Sequence, residues 1–154
     1  MAFLAVLACG CRVAEPISLS VEDVLDPKGR VAESFVLKAQ NTKGKKHRRV
    51  YLNAFAREAL TAWVEERGDL ADDRLFALNT NYATNLVRLL MREAGIKGSS
   101  HSLRRTCATM MSEGGVSVRV IQETLGHSSL QTTAIYLEAS PANVAKAINN
   151  AVKW

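Results

Sequence analysis

Three short blocks toward the C-terminal end of this sequence carry side chains suited to attack on a phosphodiester. They are His101-Ser102-Leu103-Arg104, Leu125-Gly126-His127 and Tyr136. A tyrosine oxygen can act as nucleophile, a guanidinium neutralises phosphate charge, and imidazoles move protons. None of these steps requires a metal. His101 and Arg104 are three residues apart, so a helix would bring them to one face. Gly126 can end one helix just before His127, and Ser128 or Ser129 can cap the next, which would carry Tyr136. Singly, each residue has an ordinary explanation: a histidine after glycine caps a helix, and a helix tyrosine sits half-buried with its hydroxyl in water. Their arrival in this order, on elements able to present them, is what suggests chemistry.

A second feature supports a polyanionic partner. Lys38, Lys43, Lys45, Lys46, Arg48 and Arg49 fall within one twelve-residue stretch that also holds His47. Phosphate contacts need that density, although a solvated hairpin tip would show it too. The 154-residue chain has a net charge of +5, which agrees with such a partner without requiring it. With 47% hydrophobic and 23% charged residues it reads as one globular domain long enough to bury a core.

Cys9, Cys11 and Cys107 are too few and too scattered for a disulfide framework, and Cys9-Gly10-Cys11 lacks a second pair at zinc-ligand spacing. We expect no metal, no cofactor and a cytoplasmic location. Phe3 to Cys9 is apolar like the centre of a signal peptide. It is short, however, and no basic residue precedes it. A buried helix is the better reading, and no segment is long enough to span a membrane.

The elements that must position these residues follow from periodicity and breakers. Residues 2–19 predict a mostly apolar helix whose pattern is interrupted at Gly10 and Pro16 and which bends or restarts at Pro16. Three strands follow, at Val21–Leu25, Arg30–Lys38 and Arg48–Asn53, separated by turn signals at Asp26-Pro27-Lys28-Gly29 and Gly44. Helices are predicted over Asn53–Arg67, with Phe55, Leu60, Trp63 and Val64 inward, and over Asn81–Ala94, with Leu86, Leu89 and Leu90 inward. Ser99 or Ser100 caps a helix ending at Gly114-Gly115, and Ser117 caps another reaching Leu125. Ser140-Pro141 opens a last amphipathic helix, 141–154, with Val144, Ile148 and Val152 on one stripe. The expected class is α+β: mainly α-helical with a small three-stranded antiparallel sheet.

With the elements in place, the sequence resembles the catalytic domain of the tyrosine recombinase, or phage integrase, family. The matching motifs are Gly10-Cys11-Arg12-Val13-Ala14-Glu15, Lys43-Gly44-Lys45-Lys46, His101-Ser102-Leu103-Arg104, Leu125-Gly126-His127-Ser128, and Tyr136 nine residues beyond His127. The resemblance covers nearly the whole chain and implies the DNA breaking-rejoining enzyme fold. It implies that Arg12 and Arg104 grip the scissile phosphate and that Tyr136 attacks phosphorus to form a 3′-phosphotyrosyl link. Lys43 would protonate the leaving 5′-oxygen, His101 would assist proton transfer at the tyrosine, and His127 would donate a hydrogen bond to phosphate. Glu15 would orient the arginine from behind. Lys45, Lys46, Arg48 and Arg105 are the expected contacts to double-stranded DNA. The resemblance further implies a tetramer on DNA, helix 141–154 docking in trans, and a bacterial, phage or mobile-element origin.

Two departures stand out. Pro16 replaces a helix-compatible aliphatic residue, and Cys11 replaces a leucine before Arg12. The first helix begins about ten residues before Arg12, so residues 1–154 are expected to form one catalytic domain without the N-terminal DNA-clamping domain, binding DNA weakly and salt-sensitively. Two competing readings are a helix-turn-helix over Val118–Leu137 without chemistry and a decayed remnant. A monomeric type IB topoisomerase would share the chemistry.

Overall fold

The computed structural model describes residues 1–42, 46–68, 73–135 and 148–149. Its first helix, α1 (Ala2–Ala8), is buried along most of its length, with Phe3, Val6 and Leu7 in the core. Gly10 ends this segment at φ +88°, a left-handed conformation that a side chain disfavours. A four-residue helix, α2 (Ala14–Ile17), then follows. The bend expected at Pro16 falls earlier instead, as a complete break after α1 that leaves Cys11 and Arg12 outside any helix. Pro16 is accommodated because it stands in the first turn of α2, where an N–H would have no helical partner.

The sheet differs from expectation. Among the described residues two strands are present, β1 (Ser34–Leu37) and β2 (Arg48–Tyr51), antiparallel with Phe35 opposite Val50 and Leu37 opposite Arg48. The predicted third strand over 21–25 is instead a 3-10 turn at Glu22–Val24. Asp23 Oδ2 accepts from the Ser20 N–H at 3.0 Å, and Ser20 Oγ accepts from the Asp23 N–H at 3.3 Å. That reciprocal pair curls the backbone, a local competition typical of Ser and Asp. Of the third strand there remain an isolated bridge between Leu25 and Val31 and a hydrogen bond from the Ala32 N–H to the Val24 carbonyl at 2.9 Å.

The helices come next: α3 (Ala54–Arg67), α4 (Thr80–Glu93), α5 (Ser100–Glu113), α6 (Val118–Leu125) and α7 (Leu130–Ala134). Their ends obey the capping signals. Asn53 and Asn79 accept the Ala56 and Tyr82 N–H groups at 2.8 Å each. Ser102 Oγ accepts the Ser99 N–H at 2.9 Å, half of a capping box. The inward face of α3 agrees for Leu60, Trp63 and Val64, whereas Phe55 is exposed. In α4 the buried stripe is Ala83, Val87 and Met91, not the predicted leucines; Leu89 and Leu90 are exposed. A stripe headed by alanine allows close approach to the core, so packing distance overrides bulk hydrophobicity.

The core centres on α1, which packs against α3 and α5. Phe76 joins Phe3 edge-on at 5.2 Å and stacks on Trp63 at 5.9 Å between ring centroids. A smaller cluster, Ala108, Ile121 and Leu125, fastens α5 to α6. Among the described residues no helix is long and apolar enough to cross a membrane.

Candidate active site

Three arginines from three separate parts of the chain converge on the C-terminal end of α6. Arg48 Nη1 donates to the Thr124 carbonyl at 2.5 Å, Arg104 Nη2 donates to the Leu125 carbonyl, and Arg12 Nη2 reaches the Gly126 carbonyl at 3.5 Å. The last carbonyls of a helix have no intrahelical partner and carry the negative end of its dipole, so they attract cations. Arg104 also donates from Nη1 to the Gly10 carbonyl at 2.5 Å, fastening the break after α1 to the same point. Burial, followed by the nearby charges of Arg12 and Arg48, draws the Arg104 pKa down to about 10 against the opposing pull of Glu15. It is therefore still a cation at neutral pH.

Glu15 is the anion of this group and is almost wholly buried. Its Oε2 accepts the Arg12 backbone N–H at 2.6 Å and Arg48 Nη2 at 2.5 Å, while its Oε1 meets Arg12 Nη1 at 2.9 Å. One carboxylate thus fixes both the backbone and the side chain of Arg12, whose side chain is 25% exposed. Cys11 lies fully buried among these charges. Desolvation pushes its thiol up to about 12, so it is an inert apolar residue here.

His127 is held by its backbone and by its ring. Gly126 adopts the left-handed conformation (φ +62°) that ends α6, and the His127 N–H returns to the Gln122 carbonyl at 3.1 Å. Gln122 Nε2 donates to the His127 carbonyl at 3.0 Å, and the ring Nδ1 lies 3.0 Å from Thr133 Oγ1 on α7. Desolvation, then the Arg104, Arg12 and Arg48 charges, lowers the His127 pKa to about 4. The ring is neutral at physiological pH. An unfolded chain would bind this proton near the ordinary histidine value of 6.5, so from about 6.5 down to about 4 the unfolded state holds more protons than the folded one. The expected outcome is a contribution to stability that is full above that window and declines as pH falls through it. Urea unfolding across the window should show this decline in the wild type and a shallower one in His127→Gln.

The glycine before His127 has no room for a side chain. A Cβ at Gly126 would lie 2.5 Å from Arg48 Cδ. Gly126→Ala is expected to destabilise the fold by roughly 1–2 kcal/mol from handedness alone, with a further cost for displacing Arg48. A urea midpoint equal to that of the wild type would contradict this.

The remaining expected residues divide clearly. His101 is exposed in the first turn of α5, one turn before Arg104, and Lys46 and Arg105 are exposed. Lys43, Lys45 and Tyr136 lie outside the described residues, as does the tail helix except for residues 148 and 149. Arg48 requires correction. Expected as a contact to DNA, it is buried with its side chain 8% exposed and bound to Glu15 and Thr124. The pleat accounts for this: Arg48 shares a face with Val50, which faces the core, while Arg49 and Tyr51 point outward. Lys38 is exposed but pairs with Asp23 at 3.2 Å. Gln122 and Thr133 had no role in the sequence reading. The left-handed stop at Gly126 points to residue 122 as the partner of residue 127, while Thr133 had no local signal.

The sequence pattern of the phage integrase family matches residues 1–143. A tyrosine recombinase of Pseudothermotoga lettingae is 36% identical over 147 residues, a match that covers 92% of this chain and 49% of that protein. A crystal structure of XerA recombinase superposes with a TM-score of 0.80 at 28% identity, covering 99% of this chain and 58% of that one. A XerH site-specific recombinase bound to palindromic difH substrate, in a post-cleavage complex, superposes at 0.73 and 28% identity, covering 97% and 45% respectively. The chain spans about half the length of the curated relatives it matches. With the family pattern running from residue 1 through the arginine cluster and beyond Tyr136, this chain belongs to the phage integrase family.

Proposed function

We propose that this chain is the catalytic domain of a tyrosine-type site-specific recombinase, which cuts and rejoins double-stranded DNA without a metal. The observation that carries this reading is the charge balance at the end of α6. The guanidiniums of Arg12, Arg48 and Arg104 face the single carboxylate of Glu15, three positive charges against one negative, a surplus of two among the described residues. A surplus of that kind, held on pre-positioned donors, is suited to an oxyanion whose charge grows in the transition state. Each terminal guanidinium nitrogen carries two N–H bonds, so Arg104 can bind a carbonyl and still offer an N–H to a phosphate oxygen.

In this mechanism Arg12 and Arg104 hold the non-bridging oxygens and Tyr136 attacks phosphorus. Lys43 gives a proton to the departing 5′-oxygen, and His101 takes the proton from the tyrosine. The covalent phosphotyrosine conserves the phosphoryl group for rejoining, so no nucleotide is consumed. His127, neutral in the free protein, donates from Nε2 provided that the Thr133 hydroxyl donates to Nδ1. Lys45, Lys46 and Arg105 contact the DNA backbone. Assembly as a tetramer, with 141–154 reaching a neighbouring subunit, and a cytoplasmic site of action belong to the same reading.

The test is covalent capture. A library of nicked duplexes with a randomised central sequence, incubated with the protein in EDTA, should yield an adduct that survives SDS and is removed by protease. Failure to capture any duplex, or capture only when Mg²⁺ is restored, would overturn the proposal.

A further inference from the structure

We propose that Arg48 is a positioning residue for the phosphoryl-transfer step, the link through which the basic hairpin sets the arginine and histidine that meet the phosphate. This rests on the recombinase reading above. Arg48 opens β2, and its planar fork bridges two elements: Nη2 meets Glu15 Oε2 at 2.5 Å and Nη1 meets the Thr124 carbonyl at 2.5 Å. Beyond the first partner, the same Glu15 oxygen binds the Arg12 N–H at 2.6 Å, and the other carboxylate oxygen binds Arg12 Nη1 at 2.9 Å. Beyond the second partner, the chain turns through Gly126 into His127, and Arg48 Cδ lies 2.5 Å from where a Gly126 Cβ would stand. Arg48 therefore binds the carboxylate that orients Arg12 and, on its other side, the last turn of α6 from which the chain leads into His127.

A purely structural tie would be built differently. Placing a guanidinium beside two others in the interior is unfavourable, and an apolar residue of similar volume commonly packs as well or better. The Arg48 Nε is buried without a hydrogen-bond partner among the described residues, which adds to that cost. What arginine supplies and an apolar chain lacks is a fixed angle between two acceptors on different elements. Outer partners of this kind commonly change rate or affinity by roughly ten- to a hundredfold when removed.

The experiment uses the full chain and a duplex recovered by the covalent capture described above. Wild type, Arg48→Met and Arg48→Lys are compared for single-turnover cleavage, DNA affinity by fluorescence anisotropy, thermal unfolding and the NMR titration of His127. Arg48→Met keeps the shape and removes both donors. It should cleave roughly ten- to a hundredfold more slowly, with DNA affinity within about twofold of the wild type because Arg48 is buried. Arg48→Lys should recover part of the rate. The His127 titration should move upward in Arg48→Met, since one of the three cations facing it (Arg12, Arg48 and Arg104) is gone while Thr133 still holds the ring. If Arg48→Met does not fold, folded Arg48→Lys, which keeps the charge but loses the fork between the two acceptors, should show the same selective loss of rate in smaller degree. Wild-type cleavage by the folded variants overturns the inference while leaving the recombinase reading intact, as does a rate loss fully explained by weaker binding or lower melting temperature. If wild type cleaves no duplex, the recombinase reading falls and the inference with it.

Discussion

Tyr136→Phe is expected to eliminate the covalent DNA adduct while leaving DNA binding unchanged. Only one oxygen is removed, and in the proposed mechanism that oxygen forms the bond to phosphorus. The aromatic ring, and whatever packing it makes, is retained. General-acid and electrostatic help from Lys43, Arg12 and Arg104 cannot replace a missing nucleophile, so the loss should be complete rather than graded. Two other tyrosines make the experiment discriminating. Tyr51 on β2 and Tyr82 on α4 are 70% and 58% exposed. Gel analysis of the SDS-resistant adduct, with peptide mapping of the attached tyrosine, separates the cases. An adduct persisting in Tyr136→Phe and mapping to Tyr51 or Tyr82 would move the nucleophile elsewhere.

Arg104→Ala is expected to lower the cleavage rate by roughly 10²–10³-fold, the usual consequence of removing one pre-positioned donor from a developing oxyanion. The same change has a structural cost. Arg104 is 5% exposed, and its two terminal nitrogens serve the Gly10 and Leu125 carbonyls. Leaving buried carbonyls unpaired costs about 1–3 kcal/mol each, partly offset by relief of repulsion from Arg12 and Arg48. Destabilisation of that size lowers the folded fraction only in a marginal domain, whereas the rate effect persists in fully folded protein. Single-turnover cleavage, measured where circular dichroism shows the variant fully folded, therefore isolates the catalytic part. Arg104→Lys keeps a charge but cannot span both carbonyls and a phosphate, and it should fall between wild type and alanine. Wild-type cleavage in folded Arg104→Ala would remove Arg104 from the proposed site.

Much of this molecule could be read from local chemistry. Asn53, Ser99 and Ser117 placed helix starts, and Gly114-Gly115 and Gly126 placed helix ends, within about a residue of where they occur. Capping and left-handed stops act between residues a few positions apart, so one stretch of sequence contains the whole interaction. The spacing of the candidate residues was legible for the same reason, and so was their membership of a known family.

Other features depended on contacts that no local pattern encodes. The 21–25 segment is apolar enough for a strand, yet it curls because Ser20 and Asp23 satisfy each other before a neighbouring strand can. Leu86, Leu89 and Leu90 suggested one face of α4, while the core accepted Ala83, Val87 and Met91, whose fit depends on the shape of what lies opposite. Arg48 looked like surface charge in a basic run, and its place on the pleat turned it inward to Glu15. The convergence of Arg12, Arg48 and Arg104 on the end of α6 was the least legible. Their acceptors are backbone carbonyls, which every residue has and no residue type announces. The residue types capable of phosphoryl chemistry were thus determined by sequence alone. Which of the arginines bound to Glu15 stays partly exposed (Arg12) and which is buried (Arg48) was decided only when segments as far apart as residues 15 and 48 met in three dimensions.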